Sequence, residues 1–322
     1  MTTLLPVSVV IPTRNRPQSL RSTLASISAG VELPREIIVI DQSDLPLESV
    51  DLSTELGHGI LLQMVRQALP SSTIARNTGI RLARQDIILF MDDDILLDRY
   101  SVSELFKSFA DDRVALVAAP HQGNTPNSRR HPDVLGSAFL RKKPFRSDGY
   151  VCRGAVLGRY PSNLRKPVPT EWAMGFFFAV RRSLLEAYQV KFDENLLSYA
   201  YAEDLDFSYT FCVQAKAQGY RCILNPRVFV NHVGSHEWKM PDDRATMMYV
   251  VHRGYLSYKH FGSPLNRVIL IWSDVGEVLR RMLARLDWYS VLRGYLLLYR
   301  HRHAIRKGSI PRNVQDTIGR SG

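Results

Sequence analysis

The feature that most limits the fold is a repeated local pattern: a short, unbroken apolar run that stops at a polar residue and gives way to helical spacing. Val7–Ile11 is such a run, ended by Pro12 and the turn Thr13-Arg14-Asn15-Arg16-Pro17. Glu36–Ile40 stops at Asp41, and Asp86–Met91 stops at Asp92-Asp93-Asp94. Apolar runs without period-two alternation are strands covered on both faces. Between them, Ser19–Ser28 places Leu20, Leu24 and Ile27 on one helical face, and residues 73–84 and 101–110 read as further helices. Val114–Ala119 adds another strand. This alternation predicts an α/β chain with a mostly parallel sheet flanked by helices. Ligands of such sheets bind just past the strand C-termini, where the polar residues collect here.

Residues 121–169 are rich in Pro, Gly and Arg and lack periodicity, so they read as one long functional loop. Beyond it the pattern predicts a strand at Glu171–Val180, helices at Ser183–Tyr188 and Ala202–Gln218, and a strand at Tyr220–Val230. From Ala245 the spacing is helical, with arginines among Leu, Trp and Tyr, and the last dozen residues are expected to fray.

Two acidic clusters and a histidine are the candidate chemical groups. Adjacent carboxylates repel, so Asp92-Asp93-Asp94 at a strand end needs compensation. A hard divalent cation, Mg²⁺ or Mn²⁺, would supply it; an acidic helix-capping turn is the structural alternative. Glu203-Asp204-Leu205-Asp206 is either an acidic first helical turn, favoured by the macrodipole, or a general base with a neighbour that tunes it. His232, in Asn231-His232-Val233-Gly234-Ser235-His236, is either a structural histidine or a metal ligand. Three cysteines, Cys152, Cys212 and Cys222, lack metal-ligand spacing and suit a reducing compartment.

Taken together, these segments resemble family 2 glycosyltransferases of the GT-A fold. Val7-Ser8-Val9-Val10-Ile11-Pro12-Thr13-Arg14-Asn15-Arg16 is similar to the family's opening strand, and Ile38-Val39-Ile40-Asp41-Gln42-Ser43-Asp44 to its second strand. Ala75-Arg76-Asn77-Thr78-Gly79 resembles the next helix's motif and Phe90-Met91-Asp92-Asp93-Asp94-Ile95 the DxD segment. Trp172-Ala173-Met174-Gly175 looks like the acceptor-side loop and Ala202-Glu203-Asp204-Leu205-Asp206-Phe207 like the ED motif. Six such segments in family order span residues 5 to 238.

The resemblance implies a metal-dependent, inverting transfer of a hexosyl or deoxyhexosyl group from a nucleotide-diphosphate sugar to a glycan or lipid-linked acceptor, in cell-envelope polysaccharide or glycolipid synthesis. Pro12, Thr13, Asn15, Asp41, Ser43, Arg76, Asp92 and Asp93 would bind the nucleotide-sugar. Within that set, Thr13 and Asp41 would meet the base and Asp92 the ribose. Asp94 and His232 would hold Mg²⁺ or Mn²⁺, with His236 as the fallback. Asp204 would be the catalytic base with Glu203 beside it, and Trp172 and Gly175 would face the acceptor. The likeness is to non-processive, rhamnosyltransferase-like members: the Q-x-x-R-W motif of processive ones is absent. Asp41-Gln42-Ser43-Asp44 is shorter than the D-N-G-S form and implies a tighter turn. The expected organisation is a catalytic domain at 1–240 and a helical basic extension at 241–322. A sugar nucleotidyltransferase is the rival enzyme, although the turn at 13–17 lacks its glycines. A membrane-associated scaffold with a degenerate transferase fold is the non-catalytic rival.

The formal net charge of +11 is unevenly placed. Residues 241–322 carry 14 Lys and Arg against 6 Asp and Glu, and residues 129–166 carry 10 against 2. Arg141, Lys142, Lys143 and Arg146 either border the acceptor side and meet a lipid-diphosphate acceptor or another anionic glycan there, or lie on a solvated surface loop. Arginines interleaved with Trp and Tyr suit a membrane surface; a helical lid with its arginines in water is the alternative. No nucleic-acid-binding module accompanies the charge, so nucleic acid is not an expected partner. With no leader-like N-terminus and no membrane-spanning run, the expected location is cytoplasmic, peripheral on the inner face of the plasma membrane.

Overall fold

A computed structural model describes residues 3–47, 52, 56, 59–120, 138–139, 146–161, 164–196, 202–234 and 240–319. The first half alternates as the pattern predicts. Strands β1 (Thr3–Thr13), β2 (Glu32–Asp41), β3 (Leu61–Arg66) and β4 (Ile87–Met91) are interleaved with helices α1 (Pro17–Ser28) and α2 (Ser72–Leu82). The short strand β5 (Ile95–Leu97), helix α3 (Ser101–Ser108) and strand β6 (Val114–Ala118) follow. Strands β7 (Tyr150–Cys152), β8 (Leu157–Arg159), β9 (Val168–Pro169) and β10 (Phe177–Arg181) then lead to helices α4 (Arg182–Tyr188) and α5 (Glu203–Ala217). After β11 (Arg221–Leu224) and β12 (Val230–His232) the chain is helical: α6 (Asp242–His260), α7 (Pro264–Leu283), α8 (Tyr289–Arg300), α9 (Arg302–Arg306) and α10 (Arg312–Gly319).

The main sheet runs β3-β2-β1-β4-β10-β6-β11-β9. Its first four strands are mutually parallel, as are β6 and β11. β10 lies antiparallel between β4 and β6 and joins the two parallel blocks. Both faces are covered, which is why the strands read as continuous apolar runs. Val9, Ile11, Val39 and Leu89 pack with Leu20 and Leu24 of α1 and Leu105 of α3. Val10, Ile38, Ile88 and Phe90 face the other way, onto Ala75 of α2 and Phe207 and Phe211 of α5. Gly79 lets α2 approach the sheet, because a Cβ there would stand 2.2 Å from a Val10 methyl.

Several expectations change. The strand expected at Glu171–Val180 starts only at Phe177, and Trp172, Met174, Gly175 and Phe176 before it line a cleft instead. The strand expected at Tyr220–Val230 is two strands, β11 and β12, in different sheets; Pro226 cannot donate to a ladder and breaks it. The long loop at 121–169 carries three short strands within its described part. The end does not fray from the last dozen residues: α10 buries Val314 and Ile318. The C-terminal helices share a core with the rest of the chain, in which Met247, Val251 and Tyr255 of α6 meet Val151, Trp172 and Leu205.

Candidate active site

β1 and β4 end side by side, and each delivers its polar residues to one rim of the sheet. Thr13 at the end of β1 donates its hydroxyl to Asp93 Oδ2 at 2.7 Å. Arg16 Nη1 meets Asp93 Oδ1 at 3.0 Å and Asp94 Oδ2 at 3.5 Å. Asp93 is buried, and that burial pushes its carboxyl up to about 7 although Arg16 and Thr13 pull the other way. Its grip is internal: it ties the turn after β4 to the turn after β1.

Asp94 and His232 are brought together by the small β5–β12 ladder. His232 pairs with Ile95, and Val233 N–H donates to the Asp94 carbonyl at 3.1 Å. His232 Nε2 then lies 3.1 Å from Asp94 Oδ1, and its ring stacks on Phe176 at 5.5 Å between centroids. The Asp94 hydrogen bond, more than any other influence, raises the imidazole above its ordinary pKa. Asp92, Asp94 and His232 each offer a ligand atom, and these atoms all lie within 4.8 Å of one another. Two carboxylates and an imidazole, one carboxylate of them deeply buried, form a donor set that suits Mn²⁺ or Mg²⁺. Asp92, expected at the ribose, thus joins the possible metal ligands.

The opposite wall begins at Ala202, whose φ of 67° lies in the left-handed region. A non-glycine residue there costs on the order of 1 kcal/mol, and it starts α5 with Glu203 and Asp204 turned to the cleft. Arg76, buried on α2, donates Nη1 to Glu203 Oε1 at 2.7 Å and Nη2 to Asp92 Oδ1 at 2.9 Å. One guanidinium therefore joins the two acidic clusters, reaching 127 residues along the sequence to Glu203 and 16 to Asp92. Asp204 Oδ2 accepts the Gly175 N–H at 2.7 Å and Oδ1 accepts the Leu205 N–H at 2.7 Å. Burial raises both carboxyls above the usual range, against the pull of Arg76 on Glu203 and of the backbone amides on Asp204. A Cβ at Gly175 would stand 3.1 Å from Asp204 Cβ, so only glycine brings its N–H this close without displacement.

Arg76, Asp92, Gly175, Glu203, Asp204 and His232 line one cleft of about 560 Å³, together with Pro12, Thr13, Asp93 and Trp172, while Asp94 lies behind its lining. Trp172 lies on Gly158, where a Cβ would be 2.2 Å from its ring, and donates Nε1–H to the Arg159 carbonyl at 3.2 Å. Asn15, Asp41 and Ser43 lie outside the cleft lining: Asn15, in the turn after β1, donates its N–H to Ser43 Oγ at 2.9 Å, and Asp41 and Ser43 flank Gln42 in the turn after β2. That turn is tight: Asp41 accepts the N–H of Ser43 and of Leu47, both at 2.9 Å, and Arg66 at 3.0 Å. Burial opposes ionisation of Asp41, but these bonds outweigh it and lower its pKa. His236, Arg141, Lys142 and Lys143 fall outside the described residues. Arg146 is described and pairs with Asp148.

Four cleft features escape the sequence reading. Arg16 neutralises the acidic triplet; the only hint is a cation in the turn that carries Thr13. Gln42 lines the cleft and holds Ser71 N–H, the N-cap of α2. Phe176 supports His232, and Tyr160 accepts the Met174 N–H at 2.8 Å. No local sequence pattern marks the last two, because each acts through a partner far along the chain.

The family model described as glycosyl transferase family 2 matches residues 8–189, more than half the chain. The pre-mycofactocin glycosyltransferase of Mycobacterium tuberculosis is 35% identical over 161 residues, 48% of this chain and 33% of that relative. The poly(ribitol-phosphate) beta-N-acetylglucosaminyltransferase TarP of Staphylococcus aureus is 26% identical over 106 residues, 31% of this chain and 32% of that protein. The matches thus span about a third of the length of these curated relatives. Among solved structures, the mannosyltransferase PcManGT from Pyrobaculum calidifontis, in complex with GDP-Man and Mn²⁺, superposes with a TM-score of 0.53 at 18% identity. That match covers 97% of this chain and 87% of the other. GalNAc-T7 with UDP, GalNAc and Mn²⁺ gives a TM-score of 0.55 at 15% identity over 84% of this chain and 54% of that one. At these identities the two structures share the fold.

Proposed function

The chain belongs to glycosyl transferase family 2, and from that premise we propose that it transfers a sugar, with inversion, from a nucleotide-diphosphate donor to a glycan or lipid-linked acceptor. The single observation that carries this reading is the Arg76 bridge, which sets a candidate metal-binding acidic cluster and a candidate base on two walls of one cleft. The proposed setting is envelope polysaccharide or glycolipid synthesis. Asp92, Asp94 and His232 would hold Mn²⁺ or Mg²⁺, which when bound stabilises the charge that develops on the departing diphosphate.

The chain's own residues supply the rest. Asp204 takes the proton of the acceptor hydroxyl as that oxygen bonds to the anomeric carbon and the bond to the diphosphate oxygen breaks. Its two backbone donors, Gly175 and Leu205, fix the carboxylate's direction. Glu203 holds Arg76 in place, and Arg76 stands between Asp92 and Glu203. Trp172 and Gly175 form the acceptor side. The turn of Asp41 and Ser43, through Gln42, shapes the pocket for the base. The fold neighbours' complexes make UDP- and GDP-sugars the first probes, each with Mn²⁺ and Mg²⁺. dTDP-rhamnose tests the rhamnosyltransferase-like part of the reading. Replacing Asp94 by Ala or Asp204 by Asn is expected to lower turnover by about 10²–10⁴ with the fold intact. Near-normal turnover in either variant would remove that residue from the mechanism, and a product with the donor's anomeric configuration would overturn inversion.

A further inference from the structure

Helix α7 is inside out. Its buried side carries Ser273, Asp274, Gly276, Glu277 and Arg281, with Leu270 as the one large apolar residue. Its outer side shows Leu265, Val268, Ile271, Val275, Leu279, Met282 and Leu283, each 40% exposed or more, with Trp272 half-exposed beside Phe139, their ring centroids 4.9 Å apart. These positions recur at three- and four-residue steps, so they form one stripe along a 20-residue helix. The stripe continues through Leu286, Trp288, Tyr289, Leu292, Leu296 and Tyr299 of the following turn and α8. A helix in water does the reverse, and an apolar surface this long marks something that covers it.

The polar interior shows that the inversion is built in. Arg253, fully buried on α6, pairs with Asp274, and Tyr295 donates its hydroxyl to the same carboxylate at 2.7 Å. Arg281 pairs with Asp242 and lies 3.7 Å from Glu277. The helix is thus locked to the protein by charge, with its greasy side outward.

We propose that this face of α7 and α8 is a docking surface for an anionic lipid bilayer, on which it lies in the plane of the interface. Among the described residues no helix is long and apolar enough to cross a membrane. A stripe flanked by arginines and set with Trp and Tyr matches an interfacial helix. Arg285, Arg293 and Arg300 are exposed beside it and Arg280 pairs with Glu277, whereas Asp274 is buried and Asp287 is the one exposed carboxylate of α7 and α8 and the turn between them. The same charge disfavours a second copy of the chain, because a two-fold contact would bring two like-charged faces together. Anionic headgroups satisfy them.

The surface is mechanically close to the cleft. Ile269 of α7 lies against Gly154, and Arg253 donates to the Ala155 carbonyl. The next residues, Val156 to Arg159, line the cleft beside Trp172. If the transferase reading holds, the docked enzyme keeps its acceptor wall near the headgroups, which suits an acceptor whose lipid anchor stays in the bilayer.

The test is co-sedimentation of the full chain with phosphatidylglycerol-containing vesicles and with pure phosphatidylcholine vesicles. Binding to the anionic vesicles, weakened by salt, is expected. The triple variant Val268→Glu, Ile271→Glu, Leu279→Glu should lose it, and the pair Arg293→Gln, Arg300→Gln should weaken it roughly 30-fold. No vesicle binding at low salt, or undiminished binding by the triple variant, overturns the proposal. So does a wild-type dimer that the triple variant dissolves without any vesicle binding, which would assign the face to a second copy. Donor hydrolysis in solution is read separately. Its absence in wild type would count against the transferase reading and leave the vesicle result standing.

Discussion

At the scale of single residues, the site depends on how one buried cation is shared. Arg76 is 3% exposed and serves both Asp92 and Glu203. Removing one partner of a buried charge pair is expected to cost about 3–5 kcal/mol, because the carboxylates are left uncompensated. Arg76→Ala should therefore lower the melting temperature as well as activity. Arg76→Lys restores the charge without the two-pronged geometry and should recover stability more than turnover. The pH response follows from the same burial. Glu203 is raised from 4.5 to about 7 by burial, so its contribution to stability is full below its unfolded pKa and is lost as pH rises from about 4.5 to 7. Glu203→Gln should flatten that part of a stability-against-pH curve measured by denaturant melts. Asp204 must be ionised to act as base, so turnover should climb with pH above the ordinary carboxylate range. The identities of the acidic residues were legible in the sequence because they sit at strand and helix ends. Their cationic partners were not, since Arg16 and Arg76 reach them only through the fold.

At the scale of elements, the strands that read clearly are those buried on both faces, such as β1 and β4. β3 was missed because it is an edge strand with mixed, half-exposed residues, and β5 because three residues after an acidic triplet carry no period. β5 nevertheless matters, since without its pairing to β12 His232 would not reach Asp94. The helix of the ED motif is held from behind. Asp206 accepts Lys259 Nζ at 2.9 Å and His260 Nε2 at 2.6 Å, and Asp193 accepts the same lysine at 2.7 Å. Asp206→Asn should loosen α5 against α6 at a cost of about 1–3 kcal/mol, read as a lower melting temperature. Gly158→Ala should act differently. Its Cβ would press on the Trp172 ring, so the acceptor KM should rise more than stability falls.

At the scale of the whole molecule, the charge that looked global in composition divides into local tasks. Arg253 and Arg281 are interior ties, a third fate beside the membrane surface and the water that the sequence pattern offers for the arginines of this region. The remaining exposed ones flank the apolar stripe, and only the assembled structure shows on which side that stripe lies. The antiparallel β10 has its own consequence for biosynthesis. The turn of Thr13 and the acidic triplet belong to the first parallel block, whereas Glu203 and Asp204 reach the cleft from α5, beyond the β10 that joins the two blocks. At ribosomal rates of about 5–20 residues per second, the nascent chain spends on the order of ten seconds with only one wall of its cleft made. During that interval the acidic triplet after β4 has Arg76 without its Glu203 partner, and the half-built site stands open to solvent cations.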